Sequence, residues 1–216
     1  PFECTDEYGA RIGFGWNVGV TSVFSPDLSS PIVGCALDPL LGRIWLASPE
    51  MGIQCITLPN GLHHEVVRSH SPDERTTFHA RTRKVRVASY VANPMYVSPW
   101  ISSDLMEHLQ GYPKFRFYPH GGSHVYPLIA GGILSGYFMF GEPDSETNPG
   151  LAFMRIAGCL VLSVNPETGE ATEYVPDLER PERRTPILVA AANEGMAETI
   201  ISEFVTPLLP FSPEDI

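Results

Sequence analysis

Apolar and polar residues alternate in short runs along most of this chain, and Gly, Pro, Asn or Asp closes nearly every run. Half-buried strands joined by tight turns read this way. Residues 85–91, VRVASYV, place β-branched and aromatic side chains at alternate positions and run out at Asn93-Pro94, which predicts a strand. Ser102, Ser103 and Asp104 can accept hydrogen bonds from free helical N–H groups. Leu105, Met106 and Leu109 then recur at helical spacing up to Gly111, so a short helix is predicted, stopped by Pro113. Residues 115–118, 125–130 and 133–140 read as three further strands, with Gly131-Gly132 supplying a kink or bulge between the last two. Glu142, Asp144 and Glu146 follow in a concentrated acidic turn.

The flanking segments repeat the pattern. Residues 9–24 predict one or two bent strands, and residues 31–49 predict a hairpin about Asp38-Pro39. Residues 53–58 form another strand closed by Pro59-Asn60-Gly61, and 63–67 a further one. The apolar run 151–164 is interrupted by Gly158 and pairs through the turn 165–170 with 171–175, while 187–192 resumes as a strand. In 195–201, Met196, Ala197 and Glu198 favour helix whereas Thr199, Ile200 and Ile201 favour strand. The tally, about eight to ten strands and one helix, suits two packed sheets.

Composition narrows the function classes. With 43% hydrophobic and 18% charged residues, 21 Pro and 19 Gly among 216 residues, a single turn-rich β domain over residues 1–216 is expected. The formal net charge of −11 argues against a protein whose main work is gripping nucleic acid. Arg81, Arg83, Lys84 and Arg86 form the one basic cluster, a candidate RNA-phosphate contact whose competing reading is pairing with acidic neighbours. Cys4, Cys35, Cys55 and Cys159 show no CxxC pair and are expected to be buried thiols. No secretory signal is present, nor a run of about 18 apolar residues that would span a membrane. His63-His64-Glu65 lacks the spacing of a zinc site. His120-Gly121-Gly122 is similar to an esterase oxyanion element, but neither Ser123 nor Ser135 sits in GxSxG. Glu142, Asp144 and Glu146 could converge on a hard cation such as calcium, against the simpler reading of a solvated turn.

The order Asn93-Pro94, Pro99-Trp100, Tyr112, Phe115-Arg116-Phe117, Ser135-Gly136 and Glu142-Pro143-Asp144 with Pro149 resembles the shell domain of small icosahedral RNA-virus coat proteins of the sobemovirus and tombusvirus type. Residues 198–210, ETIISEFVTPLLP, are similar to that family's last shell strand, which implies strand for 195–201. The resemblance implies an all-β, single-domain jelly-roll β sandwich with one short helix, residues 1–80 being shell strands, an N-terminal extension or insertions. It implies a structural capsid protein and no enzyme: a subunit that self-assembles with other coat subunits into an icosahedral virion, in the host cytoplasm, around genomic RNA. Family members carry a basic arm before the shell, so the expectation is that such an arm was removed or lies outside this numbering, or that this subunit leaves the genome to other parts, with Pro1 in place of Met suggesting a processed or trimmed start. Calcium between subunits would fall to Glu142, Asp144 and Glu146, with Glu142 where the family has Asp. Trp100, with Leu105 and Met106 of the following helix, is expected at a subunit contact. Two other classes stay open: an all-β hydrolase with catalytic carboxylates among Glu142, Asp144 and Glu173, and a monomeric β-sandwich binding module.

Overall fold

A computed structural model of the chain describes residues 4–5, 11–12, 19–38, 43–57, 62–67, 85–91, 115–118, 122–132, 134–180 and 182–209, and for 4–5, 11–12, 62–67, 85–91 and 115–118 the backbone alone. A short antiparallel pair, β1 (Cys4–Thr5) and β2 (Arg11–Ile12), comes first. It is followed by a five-stranded antiparallel meander, β3 (Gly19–Phe24), β4 (Pro31–Asp38), β5 (Arg43–Ser48), β6 (Gly52–Thr57) and β7 (Leu62–Val67). The hairpin expected in 31–49 is β4–β5, with Ala36 opposite Trp45 and Gly34 opposite Ala47. Period-2 alternation buries Ala36, Trp45, Ala47, Ile53 and Cys55 on one face of this sheet.

A second sheet contains β8 (Val85–Val91), β9 (Phe115–Tyr118), β10 (Gly136–Pro143), β11 (Leu160–Val164), β12 (Ala171–Glu173) and β13 (Arg184–Ala191). Its strands lie in the order β12-β11-β13-β10-β8-β9. β8 runs parallel to both β9 and β10, and the other pairs are antiparallel. The hairpin predicted between 151–164 and 171–175 survives as β11–β12. Central β10 is buried from Gly136 to Glu142 because both of its faces are covered.

The described residues also form four short α-helices, α1 (Val125–Ala130), α2 (Asp144–Thr147), α3 (Leu151–Ile156) and α4 (Glu194–Ile200). α3 lies on the buried face of the meander, where Gly34 gives way to the Phe153 ring; an added Cβ would come within 2.8 Å of it. α1 packs on β10 and β13, with Tyr126 and Tyr137 meeting edge to face at 6.1 Å. α4 and the π-helical turn Ile201–Val205 cover the opposite face of the second sheet, where Phe204 stacks on Phe138 at 5.8 Å. Side chains of both sheets and of the intervening helices enter one core, each fully buried Phe or Ile contributing about 1.5–3 kcal/mol.

This layered α/β arrangement overturns the all-β jelly roll. In a jelly roll two sheets pack face to face, whereas here α1 and α3 separate them and two strand pairs are parallel. Residues 125–130, expected as a strand, are α1: Pro127 would remove a ladder bond from a strand but falls in the first helical turn, where no N–H is needed. Residues 195–201, expected as strand, are helical: 195–200 belong to α4, whose cap Asn193 accepts from the Met196 N–H at 2.9 Å, and Ile201 opens the π-helical turn. Residues 151–156 wind into α3 and stop at Gly158, which takes φ +64°. Cys55 and Cys159 are buried free thiols, and Cys35 is a half-buried one. The helix expected over 102–111 lies outside the described residues. Among the described residues no helix is long and apolar enough to cross a membrane.

Candidate functional site

The second sheet reaches its acidic end where β10 passes through Gly141, at φ +69°, into Glu142 and then α2. Three carboxylates close in sequence enter three different environments there. Glu142 is 1% exposed. Its Oε2 accepts from the Tyr137 hydroxyl at 3.0 Å, while Oε1 is buried with no hydrogen-bond partner. Burial is the main cause that pushes its pKa up to about 8; the nearby Glu146 charge adds to this, and the Tyr137 bond and Arg184 oppose it. Burial, then the Glu142 charge, likewise push Tyr126 and Tyr137 well above the usual phenol range.

Asp144, wholly buried, faces the other way. Arg183 donates to its Oδ2 from Nε at 2.7 Å and forms an ion pair with it through Nη2 at 2.6 Å. Thr185 donates to Oδ1 at 3.1 Å, and the Asp144 N–H donates to the Arg183 carbonyl at 2.8 Å. These contacts make Asp144 a clamp between the start of α2 and the start of β13.

Glu146 is exposed, yet its Oε2 is held twice, by the Ser123 N–H and the Ser123 hydroxyl, each at 3.1 Å. One residue on, Thr147 Oγ1 accepts from the Tyr126 hydroxyl at 3.2 Å. Ser123 in the turn before α1 and Tyr126 within α1 therefore grip α2 at two consecutive residues.

The expectation of three carboxylates together on an exposed strand end is met only in part. Glu142 and Glu146 are neighbours that feel each other's charge, but Asp144 is committed to Arg183, and both Glu142 and Asp144 are buried. Among the described residues, no three His, Cys, Asp or Glu side chains come together as a metal cluster. The two remaining carboxylates, one with an orphaned buried oxygen, fit a hard cation completed by water and ligand oxygens rather than an all-protein cage. Glu173 is exposed on β12, with Arg155 3.7 Å away. Arg81, Arg83 and Lys84 lie outside the described residues, as do Trp100, Leu105 and Met106, and Arg86 lies in β8, where only the backbone is described. The sequence led to Ser123 only as a rejected esterase serine and not as a partner of Glu146, although a Gly-Gly-Ser turn ahead of an apolar run is a helix-start signal.

No family model and no curated protein matches the sequence. Solved structures do match the fold. Staphylococcal IMPase-II bound to inositol monophosphate superposes with a TM-score of 0.53 and 13% identity over 88% of this chain and 63% of its own. A hypothetical protein from Pyrococcus horikoshii with similarities to inositol-1 monophosphatase gives 0.52 and 17% over 86% of this chain and 61% of its own. An IMPase/NADP phosphatase complexed with NADP and Ca2+ gives 0.50 and 12% over 86% and 59%. The chain thus spans less than two thirds of the length of the structures it matches. The viral coat resemblance is thereby corrected, because its order of loose motifs is carried by a different architecture. With it fall the capsid function, the non-enzymatic role, the coat-subunit and genomic RNA partners, and the virion as its location. The chain has the α/β fold of inositol monophosphatase-type phosphatases.

Proposed function

We propose that this chain is a phosphomonoester hydrolase whose reaction centre lies at the end of β10, between Glu142, Glu146 and the Gly122-Ser123 turn. The observation that carries this is the buried Glu142 Oε1, a carboxyl oxygen without a protein partner beside a second, exposed carboxylate. Such a group is costly to fold and marks a site that takes an ion, a water or a substrate atom. The fold shared with structures bound to inositol monophosphate or NADP supports phosphate esters as the substrates.

Glu142 and Glu146 would hold a divalent cation, with water and phosphate oxygens completing the shell; calcium, present in one similar structure, needs six to eight such oxygens. A cation bound there supplies positive charge to the phosphate and favours the ionised form of Glu142. The chain's own residues prepare the site. Tyr137 holds one Glu142 oxygen, Ser123 holds one Glu146 oxygen, and the Asp144–Arg183 pair fixes where α2 begins. One folding unit belongs to the same proposal, since both sheets share a core.

The test is release of inorganic phosphate from inositol 1-phosphate and from NADP with Mg2+ or Ca2+, and again with a chelator. Cation-dependent release, reduced about a hundredfold in Glu146→Gln, is expected. No release from either ester with either cation, by folded protein, overturns the proposal.

A further inference from the structure

We propose that Ser123 is a positioning residue for Glu146, and that Gly122 is the residue that allows it to be one. The phosphatase reading supplies the meaning of Glu146; the contact itself is independent of it. Glu146 is exposed on a four-residue helix, and a side chain with three rotatable bonds would there sample many directions. Two donors of one residue converge instead on one oxygen, with the Ser123 N–H and Oγ both 3.1 Å from Oε2. This charge-assisted pair holds Oε2 in place, and neither donor engages Oε1.

The approach depends on the backbone before it. Gly122 has φ +91°, and a Cβ there would lie 2.8 Å from Glu146 Oε2. Any other residue would be strained in this conformation and would displace the carboxylate. The turn is itself anchored, because the Val125 N–H donates to the Gly122 carbonyl at 3.2 Å and Tyr126 bonds Thr147, the neighbour of Glu146. Groups that orient a ligand residue in this way, without touching the ion, set affinity through the direction of its lone pairs.

The experiment uses the full chain and three variants, Ser123→Ala, Ser123→Thr and Glu146→Ala. Its first readout is hydrogen exchange at the Ser123 amide. Protection in the wild type that is lost in Glu146→Ala is expected, and equal protection in both overturns the proposal. The second readout is the half-saturating Mg2+ concentration for phosphate release from inositol 1-phosphate. Ser123→Ala should raise it about tenfold, with Ser123→Thr restoring it. KM for the ester should stay within about twofold of the wild-type value. A folded Ser123→Ala protein with wild-type Mg2+ dependence overturns the positioning role. Should the wild type release no phosphate, the functional reading fails, and amide exchange together with calorimetric Mg2+ titration of the same variants decides the positioning role by the same criteria.

Discussion

Burial removes a carboxyl group from the solvent that ionises it, and Glu142 gains only the Tyr137 hydroxyl in exchange. Its pKa is about 8 in the folded chain against an ordinary 4.5, so the folded state keeps a proton that the unfolded chain releases. The stability linked to that proton is complete below the lower value and is lost progressively as pH rises through the higher one, by up to about 5 kcal/mol. Glu142→Gln, which keeps an acceptor for Tyr137, should flatten this dependence; Tm measured across the interval checks it, and an equally steep fall in the variant refutes the assignment. Asp144 shows the opposite arrangement, a buried charge with a full complement of partners. Arg183→Ala would leave it uncompensated, and a loss of about 3 kcal/mol or more is expected in urea unfolding. A loss under about 1 kcal/mol would mean that the pair behaves as an exposed one.

At the level of elements, the junction of β10, α2 and α3 is set by close approach more than by propensity. Gly150, the last residue of the 3-10 turn Asn148–Gly150, lies directly against the Tyr126 ring, and an added Cβ would overlap that side chain. Tyr126 is fully buried and bonded to Thr147, so it has little room to retreat. Gly150→Ala is therefore expected to cost about 1–3 kcal/mol through overpacking, although Ala is the better helix former. Asn193→Ala, by contrast, removes one capping bond from α4 and should cost about 1 kcal/mol. Urea midpoints of the two variants order these effects, and a neutral Gly150→Ala would show that α1 can shift.

For the whole molecule, the formal net charge of −11 would repel the anionic phosphate ester of the proposed reaction as it approached the acidic end of β10. Salt screens that repulsion, so kcat/KM for inositol 1-phosphate at saturating cation should rise about two- to threefold between low and physiological ionic strength. A fall with salt would place the entrance in a locally positive field.

The parts whose physics is local are legible in the order of residues alone. The β4–β5 hairpin, the strand character of β6 and β8, the β11–β12 turn and the acidic end of β10 follow from alternation, β-branching and turn residues within a few positions. Helix against strand for 125–130 and 195–201 was settled by packing between segments remote along the chain. Val125, Tyr126, Pro127, Ile129 and Ala130 are buried together in α1, and a run buried on nearly every side carries no period to read. The same holds for the three carboxylates. Glu142, Asp144 and Glu146 are equivalent as a sequence of acids, and their separate roles arise from contacts with residues remote along the chain: Arg183, 39 positions from Asp144, and Ser123, 23 positions from Glu146. Burial and charge pairing depend on distance in space: the antiparallel register of β13 on β10 brings Arg183 to Asp144, and the packing of α1 on the second sheet brings Ser123 to Glu146.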